Sequence, residues 1–311
     1  MPAFITHVLF GERVAKVLPA EIRLLVEAHP AEFFWGLQGP DLLFFRDAVL
    51  GKSPLPGIGG VMHRDKTAEL FTGMAKYVRR RRTLAKGDDE SLSSYFMGFL
   101  CHYVLDSTTH PYVYYMQERR KSYVPKKAWG GIHNHIESQI DTALYQLIKD
   151  EPVVKFRIPK EYKKPLQERS IGRMYRQVLH HVYGIEVESA DVAKSFDDTR
   201  FFMSAVTHGG LIPAVKVLEQ AVFGKVNAFS AHMRPAEVSE DVLNENRGLW
   251  TAAYEPDYPK NSSFMELLEE AEETALHALC AWYEGLNSGV LPDWTGCPNF
   301  DLGNPNDCVK A

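Results

Sequence analysis

The sequence predicts an all-α fold, and three observations carry that expectation. Apolar residues recur at helical spacing through most of the 311 residues. No stretch alternates convincingly in the manner of a strand. No internal repeat of about 20 to 50 residues is present, which excludes solenoid and propeller architectures. One domain over residues 1–311 is expected, with the chemistry in 1–150, supporting helices over 151–290 and an irregular tail over 291–311.

Residues 5–28 read as one or two helices, with Phe10, Val14, Val17 and Leu18, then Ile22, Leu25 and Val26, as the apolar stripe and Pro19 opening the second. His7 stands alone at the start, where a histidine is a surface or capping residue. In the run FFWGLQGPDLLFF from Phe33 to Phe45, Gly36, Gly39 and Pro40 break the helical period just before Asp41. Asp41 reads as the N-cap of a helix beginning at Leu42, or as a metal ligand, because a carboxylate between aromatic runs is poorly placed for solvation. Residues 51–61, GKSPLPGIGGV, are a loop by composition. Their glycines follow no strand, so they do not read as a phosphate cradle. His63 then opens a helix over 64–82 that ends in four arginines. Those complement the helix dipole on a solvated face, or attract an anionic headgroup. GDDES, from Gly87 to Ser91, caps the next helix.

That helix holds the stretch on which the chain is organised, GFLCHYVLDSTTHPYVYY from Gly98 to Tyr115, where His102, Asp106 and His110 recur at four-residue intervals. Each such step turns a helical side chain only about 40°, so the three share one sector. Phe99, Val104 and Leu105 make the neighbourhood apolar, where unpaired polar groups are costly. Internal hydrogen bonding or a metal ion would explain them, and Pro111 suggests a break that turns His110 toward a second site. Further on, His133, Glu137 and Asp141 repeat the spacing on another helix, with Ile136, Ile140 and Leu144 as its apolar partners. Two helices with ligand-type stripes are the way a bundle builds a polynuclear centre, and imidazole with carboxylate suits a zinc-like ion. His135 and Asp141 orient ligand imidazoles from behind, or are ordinary residues of the helix surface.

Between these helices, Glu118 to Gly131 is a basic loop with Tyr123 and Trp129, placed to form the mouth of a site. Residues 152–165 are a proline- and lysine-rich connection, followed by helices near 171–183, 189–207 and 212–229. His180, His181, His208 and His232 lack an acidic partner at helical spacing, and these and His277 read as structural or exposed. The irregular segment from Asn246 to Phe264 packs Trp250, Tyr254 and Tyr258 over other helices. A final helix over 263–283 is capped by Ser263, carries Leu267, Leu268, Ala271, Leu276, Leu279 and Cys280 inward and turns its glutamates to water. The tail after Val290 is expected to cover the bundle as ordered coil.

Hydrophobic residues make up 45% and charged residues 24%, as in ordinary globular chains. A net charge of −5 and a pI near 6.2 argue against a nucleic-acid coat or a strongly cationic membrane binder. The opening MPAFITHVLFGERVAKVL has no leader pattern, and no run of about 18 apolar residues occurs, so a cytoplasmic protein with no transmembrane segment is expected. The four cysteines show no CxxC spacing. Cys101 and Cys280 fall in apolar helical patterns, and Cys297 could pair with Cys308, against the reducing conditions of that compartment.

His7, Asp41, His63, His102, Asp106, His110, His133 and Glu137, in that order, resemble the ligand series of the bacterial zinc-dependent phospholipase C family, which is distantly related to the P1/S1-type nucleases. The GPD turn, the HxxxDxxxH helix and the HxxxE helix carry the resemblance. It implies an all-α bundle of the phospholipase C/P1 nuclease type and a cluster of two or three zinc ions. Asp41, His63, His102 and Asp106 would hold one ion, and His110, His133 and Glu137 a second. Asp106 would bridge to a third shared with His7. Secreted members complete that third site with an N-terminal tryptophan, whereas this chain begins Met-Pro-Ala. The lipid-binding β-sandwich of the toxin members has no counterpart. The implied activity is hydrolysis of a phospholipid or small phosphodiester, with Asp41 orienting or deprotonating the water. A P1/S1-like nuclease and a metal-binding protein without turnover are the alternatives, and no stable nucleic-acid partner is expected.

Overall fold

The computed structural model describes residues 3–47, 51–224, 227 and 229–301. Its elements, in order, are α1 (Phe4–Val17), α2 (Ala20–Ala28), α3 (Pro30–Gly36), α4 (Leu55–Arg64), α5 (Thr67–Thr83), α6 (Asp89–Lys121), α7 (Ile132–Lys149), α8 (Pro165–Tyr183), α9 (Ser189–Val206), α10 (Ile212–Phe223) and α11 (Phe264–Ser288). Short 3-10 turns join them, and the one β-type pairing among the described residues is an antiparallel bridge from Trp250 to Lys260. The all-α expectation holds. Among the described residues, no single helix is long and apolar enough to cross a membrane. Cys308, with which Cys297 could pair, lies outside the described residues.

The chain divides into two compact units, each assembled from three stretches. The first comprises Met1–Leu9, Thr109–Arg157 and Phe201–Glu269. Its core is laid down by α7, whose Ile136, Ile140 and Leu144 are fully buried at helical spacing. Ser138 and Thr142, on an adjoining face, donate to the carbonyls of Ala231 and Pro235, fixing the segment that follows α10. Trp250 and Tyr112 meet edge to face at 5.4 Å, whereas Tyr258 is exposed and does not pack as expected. At the start of α11, Ser263 and Glu266 form a reciprocal capping box: each backbone N–H is bound by the other's side chain.

The second unit comprises Phe10–Thr108, Ile158–Arg200 and Glu270–Ala311. Phe71, Phe96, Phe99, Tyr103, Trp282 and Trp294 make a contiguous aromatic core, with ring centroids 4.9–6.4 Å apart. Phe300 inserts among them, so the tail does cover this unit as far as residue 301.

Several local expectations are corrected. Pro111 does not break α6, which runs 33 residues straight through it. Packing on the far side overrides the lost N–H, since Tyr112, Val113 and Met116 are all buried. The glycine-rich loop is loop only to residue 54, because Leu55, Ile58 and Met62 repeat at helical spacing and are buried as the inner face of α4. His63 therefore closes α4 and does not open α5. The arginine run is not simply solvated: Arg79 and Arg82 bind the carbonyls of Gly289 and Leu286, and Arg81 pairs with Asp88 through two bonds.

Candidate metal centre

The second unit builds the first cluster around a close approach of α3 and α6. A side chain on Gly98 would lie 2.2 Å from the Phe33 carbonyl, so the two helices touch through backbone. That contact brings the Leu37 carbonyl to 3.1 Å from His102 Nδ1. Gly39 follows in the left-handed region, at φ +49°, and a Cβ there would lie 2.3 Å from the His102 ring. Tyr175 donates to the Gly39 carbonyl at 3.0 Å and fixes the turn. Asp41 lies in the first turn of the 3-10 segment Gly39–Phe45 and makes no capping bond, which removes the N-cap reading.

Two imidazoles converge here on two carboxylates. His63 Nε2 is 3.0 Å from Asp41 and 3.8 Å from Asp106, and His102 Nε2 is 3.0 Å from Asp106 and 3.7 Å from Asp41. All four residues are buried. The other nitrogen of each ring, Nδ1, faces a backbone carbonyl: Gly59 at 2.8 Å for His63 and Leu37 for His102. A carbonyl can only accept, so each Nδ1 carries the proton, and in the neutral ring each Nε2 presents a lone pair to a carboxylate. Such facing acceptors repel unless a cation lies between them. Donors held about 2.1 Å from a tetrahedral zinc lie about 3.4 Å from one another, and the four N···O separations bracket that value. Asp41 Oδ2 is buried and has no hydrogen-bond partner, as expected of an atom kept for an ion or its water. The residues thus fit a zinc ion.

The first unit builds a second cluster. Glu137 Oε1 is 3.1 Å from His133 Nε2 and 3.5 Å from His110 Nε2, and the three donor atoms lie within 4.8 Å of one another. His110 and Glu137 are buried, whereas the His133 side chain is 21% exposed and marks the open side. Tyr114 packs against both imidazoles.

A model of the zinc-dependent phospholipase C family matches residues 6–184. The chain belongs to that family. It matches no curated protein and no solved structure.

The family's zinc-type donor set explains the electrostatics in both units. Burial alone would depress the His63 imidazole, but Asp41 and Asp106 beside it raise it. Burial alone would raise the Glu137 carboxyl, yet His133 and the hydrogen bonds from His110 and His133 hold it well below the usual carboxylate range. In each case a proton takes the position that an ion would fill.

His7, the first member of the predicted series, is buried on α1 in the first unit, not exposed at a frayed terminus. Asp141 explains how. Its carboxylate is fully buried and accepts from the backbone N–H of Ile5 and Thr6, from the Thr6 hydroxyl at 2.8 Å, and from Arg234 Nε and Nη2 at 2.9 and 2.6 Å. It therefore caps the beginning of α1, the four-residue spacing with Glu137 notwithstanding. His135 is likewise neither an orienting partner of the cluster nor plain surface. Its Nδ1 accepts from Arg120 at 3.1 Å, and burial, with the Arg120 and Lys216 charges, pushes its pKa down to about 4. Sequence reasoning missed Arg234, Phe300 and the Leu37 and Gly59 carbonyls. Phe300 lies against the His63 and His102 rings, and its N–H donates to the His63 carbonyl at 3.0 Å. Nothing in their local sequence marks any of them.

Proposed function

We propose that the protein is a zinc-dependent phosphoric diester hydrolase acting on phospholipid. The observation that carries this reading is the convergence of His63 Nε2 and His102 Nε2 on the Asp41 and Asp106 carboxylates in a buried site. Asp41, His63, His102 and Asp106 would hold one ion, and His110, His133 and Glu137 another. By resemblance to the family's ligand series, a third ion would have His7 and Asp106 among its ligands. Zinc held by these residues would lower the pKa of a water and offset the charge that builds on the phosphoryl oxygens.

The chain's own residues do the rest. The backbone carbonyls of Gly59 and Leu37 fix the tautomers of His63 and His102, so neither ring is free to act as the base. Asp41 Oδ2 orients the water and takes its proton. The water oxygen bonds to phosphorus, the bond from phosphorus to the glycerol oxygen breaks, and the departing alkoxide takes up a proton. One water is consumed for each ester cleaved. Phe300 and the aromatic residues around it exclude bulk water from the imidazole side.

The test is an assay of the zinc-loaded protein against phosphatidylcholine, bis-p-nitrophenyl phosphate and single-stranded DNA. Hydrolysis of the first two is expected, lost on chelation, restored by zinc and abolished in Asp41→Asn. Turnover of DNA alone would replace the reading with a nuclease, and turnover of none would leave a protein that holds ions without catalysis.

A further inference from the structure

In the first unit, α10 is built inside out. At 100° per residue, Val217, Ala221, Ala214, Leu218 and Val222 fall in one sector about 140° wide that contains no charge. That sector faces outward: Val217 is 71% exposed, and Leu218 and Val222 are each 61% exposed. Leu211, in the turn just before, is exposed as well. The side turned inward carries Glu219, whose carboxylate is bound by the backbone N–H groups of Asn227, Phe229 and Ser230 and by the Ser230 hydroxyl. A surface helix of a globular chain normally shows the reverse polarity.

The surroundings of α10 identify what covers it. Through Glu219 and Ser230 the helix is tied to Ala231, whose carbonyl accepts from Ser138 of α7, the neighbour of Glu137. The 3-10 turn Lys126–Gly131 abuts the same segment, since a side chain on Gly131 would lie 2.5 Å from the Asn227 carbonyl. That turn presents Trp129 to solvent, with the ammonium groups of Lys121 and Lys126 over its ring at 5.6 and 5.8 Å. On α10 itself the one carboxylate is consumed internally, and Lys216 lies on the side opposite the apolar sector. An outward apolar face next to a turn that presents an exposed tryptophan with Lys121 and Lys126 over its ring, beside the open side of the His133 cluster, suits a bilayer surface: acyl chains, interfacial ring sites and anionic headgroups.

We propose that the outward face of α10, with the Lys126–Gly131 turn, docks the protein on a phospholipid bilayer. The 12 residues of the helix reach about 18 Å, well short of the roughly 30 Å hydrocarbon core, so the helix lies in the interface and does not cross it. A second copy of the chain is the poorer occupant, because a two-fold contact through this face would bring the lysines of both copies together. The inference rests on the phospholipid reading, naming the surface by which such a substrate is approached.

The experiment uses the full zinc-loaded chain in flotation with vesicles of phosphatidylcholine, alone and mixed with phosphatidylglycerol. The wild type is expected to float with both, more strongly with the anionic mixture and less so as salt is raised. The exposed-site variant Leu218→Glu/Val222→Glu should lose about tenfold or more in partitioning, and Trp129→Ala several-fold. Both should keep the wild-type melting temperature and the rate on soluble bis-p-nitrophenyl phosphate. Leu218→Glu alone serves if the double variant fails to fold. The proposal is overturned if the wild type floats with neither vesicle or the variants float as well as it does. It is equally overturned if the wild type is a dimer that the substitutions dissociate. Flotation without phosphatidylcholine hydrolysis would keep the docking face and remove the phospholipase reading, and hydrolysis without flotation would do the opposite.

Discussion

Replacing Asp141 with asparagine tests the N-terminal anchor with nearly unchanged shape. In the wild type, Oδ1 accepts from the Thr6 N–H and hydroxyl, and Oδ2 accepts from the Ile5 N–H and from both Arg234 nitrogens. The amide can keep its oxygen on the Thr6 side, but its NH2 then faces three donors. Arg234, whose side chain is 4% exposed, is left without its counter-charge. Removing one partner of a buried pair costs about 3–5 kcal/mol. At roughly 2–3 °C per kcal/mol for a chain of this size, the melting temperature should fall by about 6–15 °C. Arg234→Met should cost less, because the remaining carboxylate keeps three donors from residues 5 and 6. Calorimetry gives the magnitude, and hydrogen exchange of the Ile5 and Thr6 amides locates it. A drop of less than about 2 °C, with those amides still protected, would show that the start of α1 is held by apolar packing of Phe4 and Ile5 and not by the carboxylate.

Other outcomes follow from the two clusters. Asp106→Asn should remove the ion held with Asp41, His63 and His102, and more than one ion per chain if the third site exists, whereas His135→Ala, which removes only an Arg120 contact, should leave the zinc content nearly unchanged; elemental analysis distinguishes them. His7→Ala should remove about one ion and spare the one at Glu137 if the third site exists. Gly39→Ala should weaken zinc binding by about tenfold or more, since the new methyl displaces the His102 ring, and competition with a chelating dye measures it. In the ion-free protein, the raised His63 contributes stability below its ordinary value of 6.5 that is lost as pH rises through the folded-state value. The lowered Glu137 contributes above 4.5 and is lost as pH falls through its own folded-state value. Chelated protein should therefore be most stable between these two values and less stable at alkaline pH. Zinc should reverse the alkaline decline, because ligands bind it deprotonated. A flat melting profile across that range would contradict the assignment.

What could be read from the sequence was whatever repeats locally. His102, Asp106 and His110 declare a helix face by their spacing, as do His133 and Glu137, and the apolar periods of α7 and α11 are plain. Composition misled where it competed with period: the glycines of 51–61 concealed the Leu55, Ile58, Met62 stripe of α4. Pro111 misled because a local propensity was weighed without the packing that outvotes it. Asp41 was ambiguous because capping and ligation use the same oxygens, and only the distance to His63 separates them. Asp141 was read by its helical spacing to Glu137, although its partner is Arg234, 93 residues away. Contacts of that span leave no mark on the local pattern.

Phe300 carries a consequence for the order of events during synthesis. The histidines it covers emerge from the ribosome early, whereas the ring that closes over them comes almost 200 residues after His102. At about 5–20 residues per second, the nascent chain spends roughly 10–40 s with His63 and His102 uncovered on that side. Metal delivered in that interval meets an unfinished pocket from which it can exchange. The aromatic wall closes only once residue 300 has been made and packed, which would set the earliest point at which the site can retain an ion.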